Sequence, residues 1–459
     1  MDVQLKQIIF TTLHDLLGDR ITSEQTICRE HGAGFSYHDC MPPDYVVYPR
    51  TTDEIADVIR ICARHQVPVI PFGAGTSVEG HVLALKGGIC MDLSEMNQVL
   101  EVNFEDMYVT IQAGVTRNQL DALLEGSGFF FPVAPGVNAT LGGMAATRAS
   151  GTNAVRYGTM KDNVLSLTVV LPDGQIIKTA GKAKKSSAGY DLTTLFIGSE
   201  GTLGVIAELT VKLHSYPEVS KAVVCAFPTN EAAVNTAIKT IQKGVAIARL
   251  EFLDRLMMRA INRYSAVDYP EQPTLFLEFN GSAQTVKEQI HKVEQYALEF
   301  GAESFDWEKD ESGRKKLWSV RTDAAPAAAA LVPGAKLMVS DVCLPISRLA
   351  KCITETQTDI ENAGVMAVIL GHVGDGNFHM LIPMLPGDAE TLGKAKTLNE
   401  RLVRRALAME GTCSGEHGIG VGKLSYMPLE HQEALDVMRA IKNAIDPKNI
   451  MNPGKLLPG

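Results

Sequence analysis

The chain has 459 residues and a mass of 49.6 kDa, a length for roughly two or three domains rather than a single binding module. With 45% hydrophobic and 21% charged residues its composition is that of an ordinary globular protein, and no segment approaches the roughly 18 consecutive apolar residues that a membrane-spanning helix needs. A net charge of -10 and the lack of any basic run exclude a phosphate-neutralising surface, so nucleic acid is not an expected partner.

The eight cysteines include no Cys-x-x-Cys pair, which excludes the common iron–sulfur, zinc-ribbon and dithiol signatures and leaves them as small hydrophobes in a reducing compartment. The N-terminal segment alternates charged and apolar residues at helical spacing and lacks the pattern of a signal peptide. The expected location is cytoplasmic, with peripheral attachment at the inner membrane as the alternative.

In chain order, Thr51 and Glu54 read as a capping box for a helix over 51–65, whose Ile55, Val58, Ile59 and Cys62 form one buried stripe. The short strand VPVIPF then runs into Gly73, Ala74, Gly75, Thr76 and Ser77. A dinucleotide fold of the βαβ kind needs a helix to open at such a loop. Here 87–94 and 99–115 read as strands, and the next helix starts only at Thr116, capped with Gln119. The loop can therefore hold an anion only through its own N–H groups, as a nest; a plain turn is the alternative. A second glycine-rich stretch, with Pro135, Gly136, Thr140, Gly142 and Gly143, continues to Ser150 and Gly151 and leaves much backbone bare. The strand LSLTVVLPDG turns at Asp173-Gly174, and a third glycine-dense segment spans 198–206 before the strand AELTVKL. Three such segments between strands imply one long, flat ligand lying across an α+β domain.

From Lys221 the rhythm becomes βαββαβ, a ferredoxin-like order, and a similar order recurs from about 336 to 408. Two such units can share one antiparallel sheet, helix-covered on one face and free on the other to cap a cofactor. Within the second, Asp375-Gly376 is a two-residue hairpin signal that would set His372 directly opposite His379, Cβ atoms about 4.5 to 5.5 Å apart, so that both imidazoles reach one cation. Two core histidines satisfied by backbone are the alternative. Glu416, in the glycine-flanked stretch 411–420, can complete a site of two histidines and one carboxylate with positions open for substrate, leaving His417 as general base; a surface Glu-His dipeptide is the plain alternative.

As an ordered set, PFGAGTSVEG, PGVNATLGGMAATRASG, YDLTTLFIGSEGTLGVI and MNPGKLLP resemble the flavoprotein superfamily of vanillyl-alcohol oxidase type, over about 45–215 and the C-terminal tail. The resemblance implies FAD in an extended conformation: its pyrophosphate on the backbone of Gly73, Ala74, Gly75, Thr76 and Ser77; its length along Pro135, Gly136, Thr140, Gly142, Gly143, Ser150 and Gly151; Gly201, Gly204 and Ile206 near the flavin; and Asn452 as a further cofactor-binding residue. Thr76 stands where many members carry a flavin-linked histidine, so non-covalent FAD is expected. With LWSVR, SDVCLPI and GHVGDGNFH added, nearly the whole chain resembles the FAD-dependent D-2-hydroxyacid dehydrogenase family, in its FAD-linked D-lactate dehydrogenase branch.

By that likeness His372, His379 and Glu416 bind a divalent metal (zinc, or manganese, cobalt or iron), His417 is the base, Arg321 grips the substrate carboxylate and Lys336 adds a second contact. Stacking on Trp318 or pairing with Asp323 is the plain reading of Arg321. Ala325 and Leu381 are apolar where the D-2-hydroxyglutarate branch has polar residues, which argues for a small substrate. The implied fold is α+β, a two-domain flavoprotein: a PCMH-type FAD-binding domain in 1–217 (about 40–217), an antiparallel-sheet cap domain of ferredoxin-like units in 218–412, and a segment 413–459 returning to the first. The implied activity is oxidation of D-lactate to pyruvate, with hydride passing to flavin N5. No haem or cluster motif is present, so electrons would leave to an external acceptor, a quinone or cytochrome. Glycolate or another small D-2-hydroxy acid is the runner-up substrate, and a flavin-free zinc hydrolase or a non-catalytic oxidase subunit are the rivals of other classes. Oligomeric state is open, a homodimer included.

Overall fold

The computed structural model describes residues 1–34, 37–308 and 310–458, which divide into two compact units. The first comprises 1–150, 158–216 and 416 onward; the second comprises 151–157 and 217–415.

In the first unit, helix Thr52–His65 buries Ile55, Val58, Ile59 and Cys62 completely, as the periodicity implies. Its cap is only half of the expected box. Thr51 Oγ1 accepts the Glu54 N–H at 3.1 Å, but the Glu54 carboxylate accepts two bonds from Arg20, both 2.6 Å, and the Arg50 N–H at 2.7 Å. A two-pronged ion pair outcompetes the single bond of the reciprocal cap. The helix links strands Tyr45–Val47 and Val69–Phe72, each parallel to Ile89–Asp92. No helix opens at Gly73–Ser77; the next one after this loop is Arg117–Leu124, which carries the full capping box of Thr116 and Gln119. Tyr108–Gln112 and the hairpin of Val164–Val170 with Ile176–Lys178 flank Val205–Lys212 in a five-stranded antiparallel sheet. Ile111, Val169 and Leu209 from this sheet join the stripe of helix Thr52–His65 in one apolar core, each such side chain contributing about 1.5–3 kcal/mol by burial.

In the second unit the two βαββαβ repeats do share one antiparallel sheet, in the order Ser304–Trp307, Val219–Ala226, Thr274–Gly281, Ile247–Leu253, Val368–Gly371, Asn377–Met384, Lys336–Val339. The repeats join where Phe252 and Leu253 pair with Gly371 and Leu370. The second repeat has no full sixth strand; Thr412 makes a single bridge to Cys343.

The expected bare face is not bare. Helices Asn230–Gln242 and Ala283–Glu299 cover one side, while Arg255–Ser265, Glu311–Thr322 and Ala324–Ala330 pack on the other against Val224, Phe276, Leu253, Leu370 and Leu381. That row of apolar side chains needs a cover of its own. Strand alternation then fixes where the polar groups lie. Glu251 shares the face of Leu253, and His379 the face of Leu381, so both sit among apolar neighbours. Among the described residues no helix is long and apolar enough to cross a membrane.

Candidate active site

Glu251 lies in the apolar strand Ile247–Leu253 and is fully buried. A carboxylate there must be compensated. His372 Nδ1 lies 2.6 Å from its Oε1, and Arg321 donates from Nε and Nη2 to its Oε2 at 2.9 and 2.7 Å. Burial pushes the Glu251 carboxyl up, but the neighbouring His372 and Arg321 outweigh it and hold the group below its ordinary value. The sequence reading of Arg321 missed this partner: it is Arg249, at 4.6 Å, whose guanidinium covers the Trp318 ring, and Asp323 is bonded by Ser265.

His372 and His379 come together edge to face, ring centroids 5.6 Å apart at 84°. The route to that proximity corrects the expected hairpin. His379 faces Leu370, not His372, and residues 372–376 close the turn, with the Asp375 N–H bonded to His372 O at 2.9 Å. The cause lies on the opposite edge of the strand. Asn377 and Phe378 pair with Cys343 and Val342, and the Leu344 N–H donates to Gly376 O at 3.0 Å, which fixes the register of the strand's first residues from that side. Non-local pairing overrides the local Asp-Gly turn preference.

Each imidazole thus has a buried acid beside it. His379 Nδ1 is 3.5 Å from Asp341 Oδ1, and the Asp341 carboxylate also accepts Asn377 Nδ2 at 2.7 Å and Ser414 Oγ at 2.9 Å. A carboxylate holding one ring nitrogen is how a metal-ligating histidine is fixed in tautomer and orientation, so this donor set fits a divalent cation. Neither Glu251 nor Asp341 was singled out from the sequence. The available signal was the one acid inside a largely apolar strand, in IARLEFL, and an acid at a strand end, in SDVCLPI.

The structure does not bring Lys336 to this face. It opposes Met384, so its Cα–Cβ bond points to the other side of the sheet from His379, and the residue is exposed. Leu381 is buried two residues beyond His379, on the same face, whereas Ala325 is exposed on its helix. Gly415 packs against Asn377 and Asp341, and Glu416 and His417 follow in the chain as part of the first unit, with His417 Nε2 3.8 Å from Glu416 Oε1.

The first unit gathers the glycine segments. A side chain at Gly73 would collide with Thr140 Oγ1, so the first loop lies directly on the second glycine segment, where Thr140 caps helix Leu141–Ala146, which contains Gly142 and Gly143. Gly75 takes φ +65, and a Cβ there would stand 2.7 Å from the Phe72 ring; Ala74 is exposed, and Thr76 and Ser77 are half-buried. The Ser77 hydroxyl oxygen is buried and has no hydrogen-bond partner among the described residues. An orphaned hydroxyl in a loop of bare N–H groups fits the pyrophosphate of FAD. Gly136 takes φ +79 in open space next to Pro135; Gly201 packs on Pro71, Gly204 on the Val170 carbonyl, and Ile206 lies in the core. Ser150 ends the first stretch of this unit, whereas Gly151 belongs to the second. Asn452 is spent on the protein: its Nδ2 donates to Glu200 O and His81 O at 2.8 and 3.2 Å, and its Oδ1 accepts from Lys455.

Comparison with known proteins gives the family of the chain. Residues 43–180 match the family model described as FAD binding domain, and 216–456 match FAD linked oxidases, C-terminal domain. The probable D-lactate dehydrogenase, mitochondrial, of Danio rerio is 48% identical over 98% of this chain and 91% of its own length. The D-lactate dehydrogenase (cytochrome), mitochondrial, of Arabidopsis thaliana is 43% identical over 99% of this chain and 81% of its own. Among solved structures, 4-ethylphenol oxidase from Gulosibacter chungangensis superposes with a TM-score of 0.84 over 100% of this chain and 98% of that one, at 16% identity, which bears out the expected fold class.

Proposed function

Because this chain belongs to the FAD-linked oxidases, in their D-lactate dehydrogenase branch, we propose that it oxidises D-lactate to pyruvate at a site built on Glu251, with a divalent cation as second cofactor. The flavin-free hydrolase reading is thereby set aside. The observation that carries the proposal is the Glu251 carboxylate, which engages His372 and Arg321 at once. Arg321 spends Nε and Nη2 on Glu251, and its Nη1 edge is what it offers to the substrate carboxylate. That grip fixes the hydroxy acid so that one face of C2 meets the acceptor.

The Gly73–Ser77 backbone would hold FAD non-covalently, and the bound cofactor would supply the two-electron acceptor for the C2 hydrogen and its electron pair. A cation held by His372, His379 and Glu416 would supply Lewis acidity toward the substrate hydroxyl. His417 takes the hydroxyl proton, so that two electrons and two protons leave D-lactate in total. Zinc, manganese, cobalt and iron all suit two imidazoles and a carboxylate. A cytochrome is the proposed external electron acceptor, after the name of the Arabidopsis relative. Buried Leu381 on the His379 face favours a small hydroxy acid, D-lactate ahead of glycolate, over a dicarboxylate such as D-2-hydroxyglutarate.

The test is metal analysis of purified protein beside its flavin spectrum. His372→Ala is expected to keep the yellow colour and lose the ion; an unchanged metal stoichiometry would remove His372 from the ligand set.

A further inference from the structure

We infer that Glu200, in the glycine-dense segment 198–206, is a positioning residue for the proposed base: its carboxylate clamps the loop that carries His417. The inference rests on the reading of His417 as base.

The geometry lies wholly within the first unit. Glu200 is buried, and its two carboxylate oxygens accept the backbone N–H groups of Ile419 and Gly420 at 2.6 and 2.8 Å, two and three residues beyond His417. The same loop is held once more from below, where the Val421 and Gly422 N–H groups bond Glu79 O at 2.7 and 3.2 Å. The His81 imidazole stands beside the same carboxylate, with Nε2 3.3 Å from Glu200 Oε1. Gly418, the residue next to the base, takes φ +77 and passes so close to this pair that a Cβ there would stand 2.7 Å from both Glu200 Oε1 and His81 Nε2.

Glu200 itself adopts φ +55, a left-handed conformation that a side chain disfavours, and so its backbone is held by its surroundings. Its N–H bonds Ala146 O at 2.8 Å, at the end of the helix that begins at Thr140, and its carbonyl accepts Asn452 Nδ2 at 2.8 Å. One residue therefore ties the cofactor segment, the C-terminal tail and the His417 loop. A filler would need none of this, because an apolar side chain of the same size satisfies no N–H, whereas an ionised acceptor fixes two neighbouring amides in space.

Glu200→Gln offers one acceptor oxygen where two N–H groups point. The variant is expected to retain FAD at the wild-type ratio and to saturate with D-lactate at an unchanged concentration. Its anaerobic flavin reduction should be about 100-fold slower, the cost of roughly a 1 Å misplacement of a reacting group. If Glu200 acts through His417, the double variant with His417→Ala reduces no more slowly than His417→Ala alone. Wild-type reduction by Glu200→Gln, or losses that multiply in the double variant, would overturn the inference. Should Glu200→Gln fail to hold FAD, Gly418→Ala decides by the same cycle, because it displaces the clamp while Glu200, His81 and His417 all remain. Wild-type reduction by His417→Ala would sink the base reading itself, a result distinct from either of these.

Discussion

The first unit offers a ligand backbone N–H groups and one hydroxyl, laid open by glycines at 73 and 75, while the second offers imidazoles and a guanidinium steadied by the buried carboxylates of Glu251 and Asp341. The first arrangement is cheap to maintain empty, since bare amides in a surface loop are satisfied by water. The second is costly, because a buried charge without its partner is a liability of several kcal/mol. A flat, polyanionic ligand suits the former and a small anion with a cation suits the latter.

Breaking the costly half should give the largest effect. Glu251→Leu strands Arg321 and His372, and an expected loss of about 3–5 kcal/mol should appear in urea unfolding followed on the second unit. A loss under about 1 kcal/mol, the scale of an exposed pair, would contradict the buried network.

In the other half, Gly73→Ala drives a methyl into Thr140 Oγ1 and is expected to cost about 1–3 kcal/mol and to lower FAD retention on gel filtration while leaving metal content intact. Retention equal to wild type would contradict the packing of the two glycine segments. Ser77→Ala sharpens the point: it deletes a buried hydroxyl that has no partner in the described residues, so the apoprotein should lose no stability, while FAD binding weakens by about 1 kcal/mol, roughly fivefold. Equal FAD affinity in a fluorescence titration would show that the cofactor does not use this hydroxyl.

A further test concerns the tail. Burial pushes the Lys455 ammonium down from an ordinary 10.5 to about 8, although its Nζ donates to Leu83 O and Asn452 Oδ1. Below about pH 8 both folded and unfolded chains carry this proton; between about 8 and 10.5 the folded chain has shed it and the unfolded chain has not, so this group makes stability rise with pH through that window. Lys455→Met should flatten the rise in thermal melts taken from pH 7 to 10, and an unchanged slope would assign it to other groups.

The asymmetry between the units also governs what could be read in advance. Glycine spacing, the Thr116–Gln119 box and the shared antiparallel sheet were legible, since each is set by local pattern or strand rhythm. The turn at 372–376 was not, because Cys343, Val342 and Leu344 reach it from more than thirty residues away and outweigh the Asp-Gly preference. Nor were the helices on the second sheet face, one of them the Ala324–Ala330 run with a proline inside it. Glu251 escaped for the same reason: a single acid in an apolar strand declares its function only when Arg321, seventy positions on, arrives beside it.

The central claim, oxidation of a D-2-hydroxy acid by enzyme-bound FAD, is tested most directly by following the flavin absorbance of the holoenzyme under anaerobic conditions as D-lactate or L-lactate is added. Bleaching by D-lactate and not by L-lactate is predicted. A flavin that stays oxidised with D-lactate, or that bleaches with the L-enantiomer alone, would contradict the account.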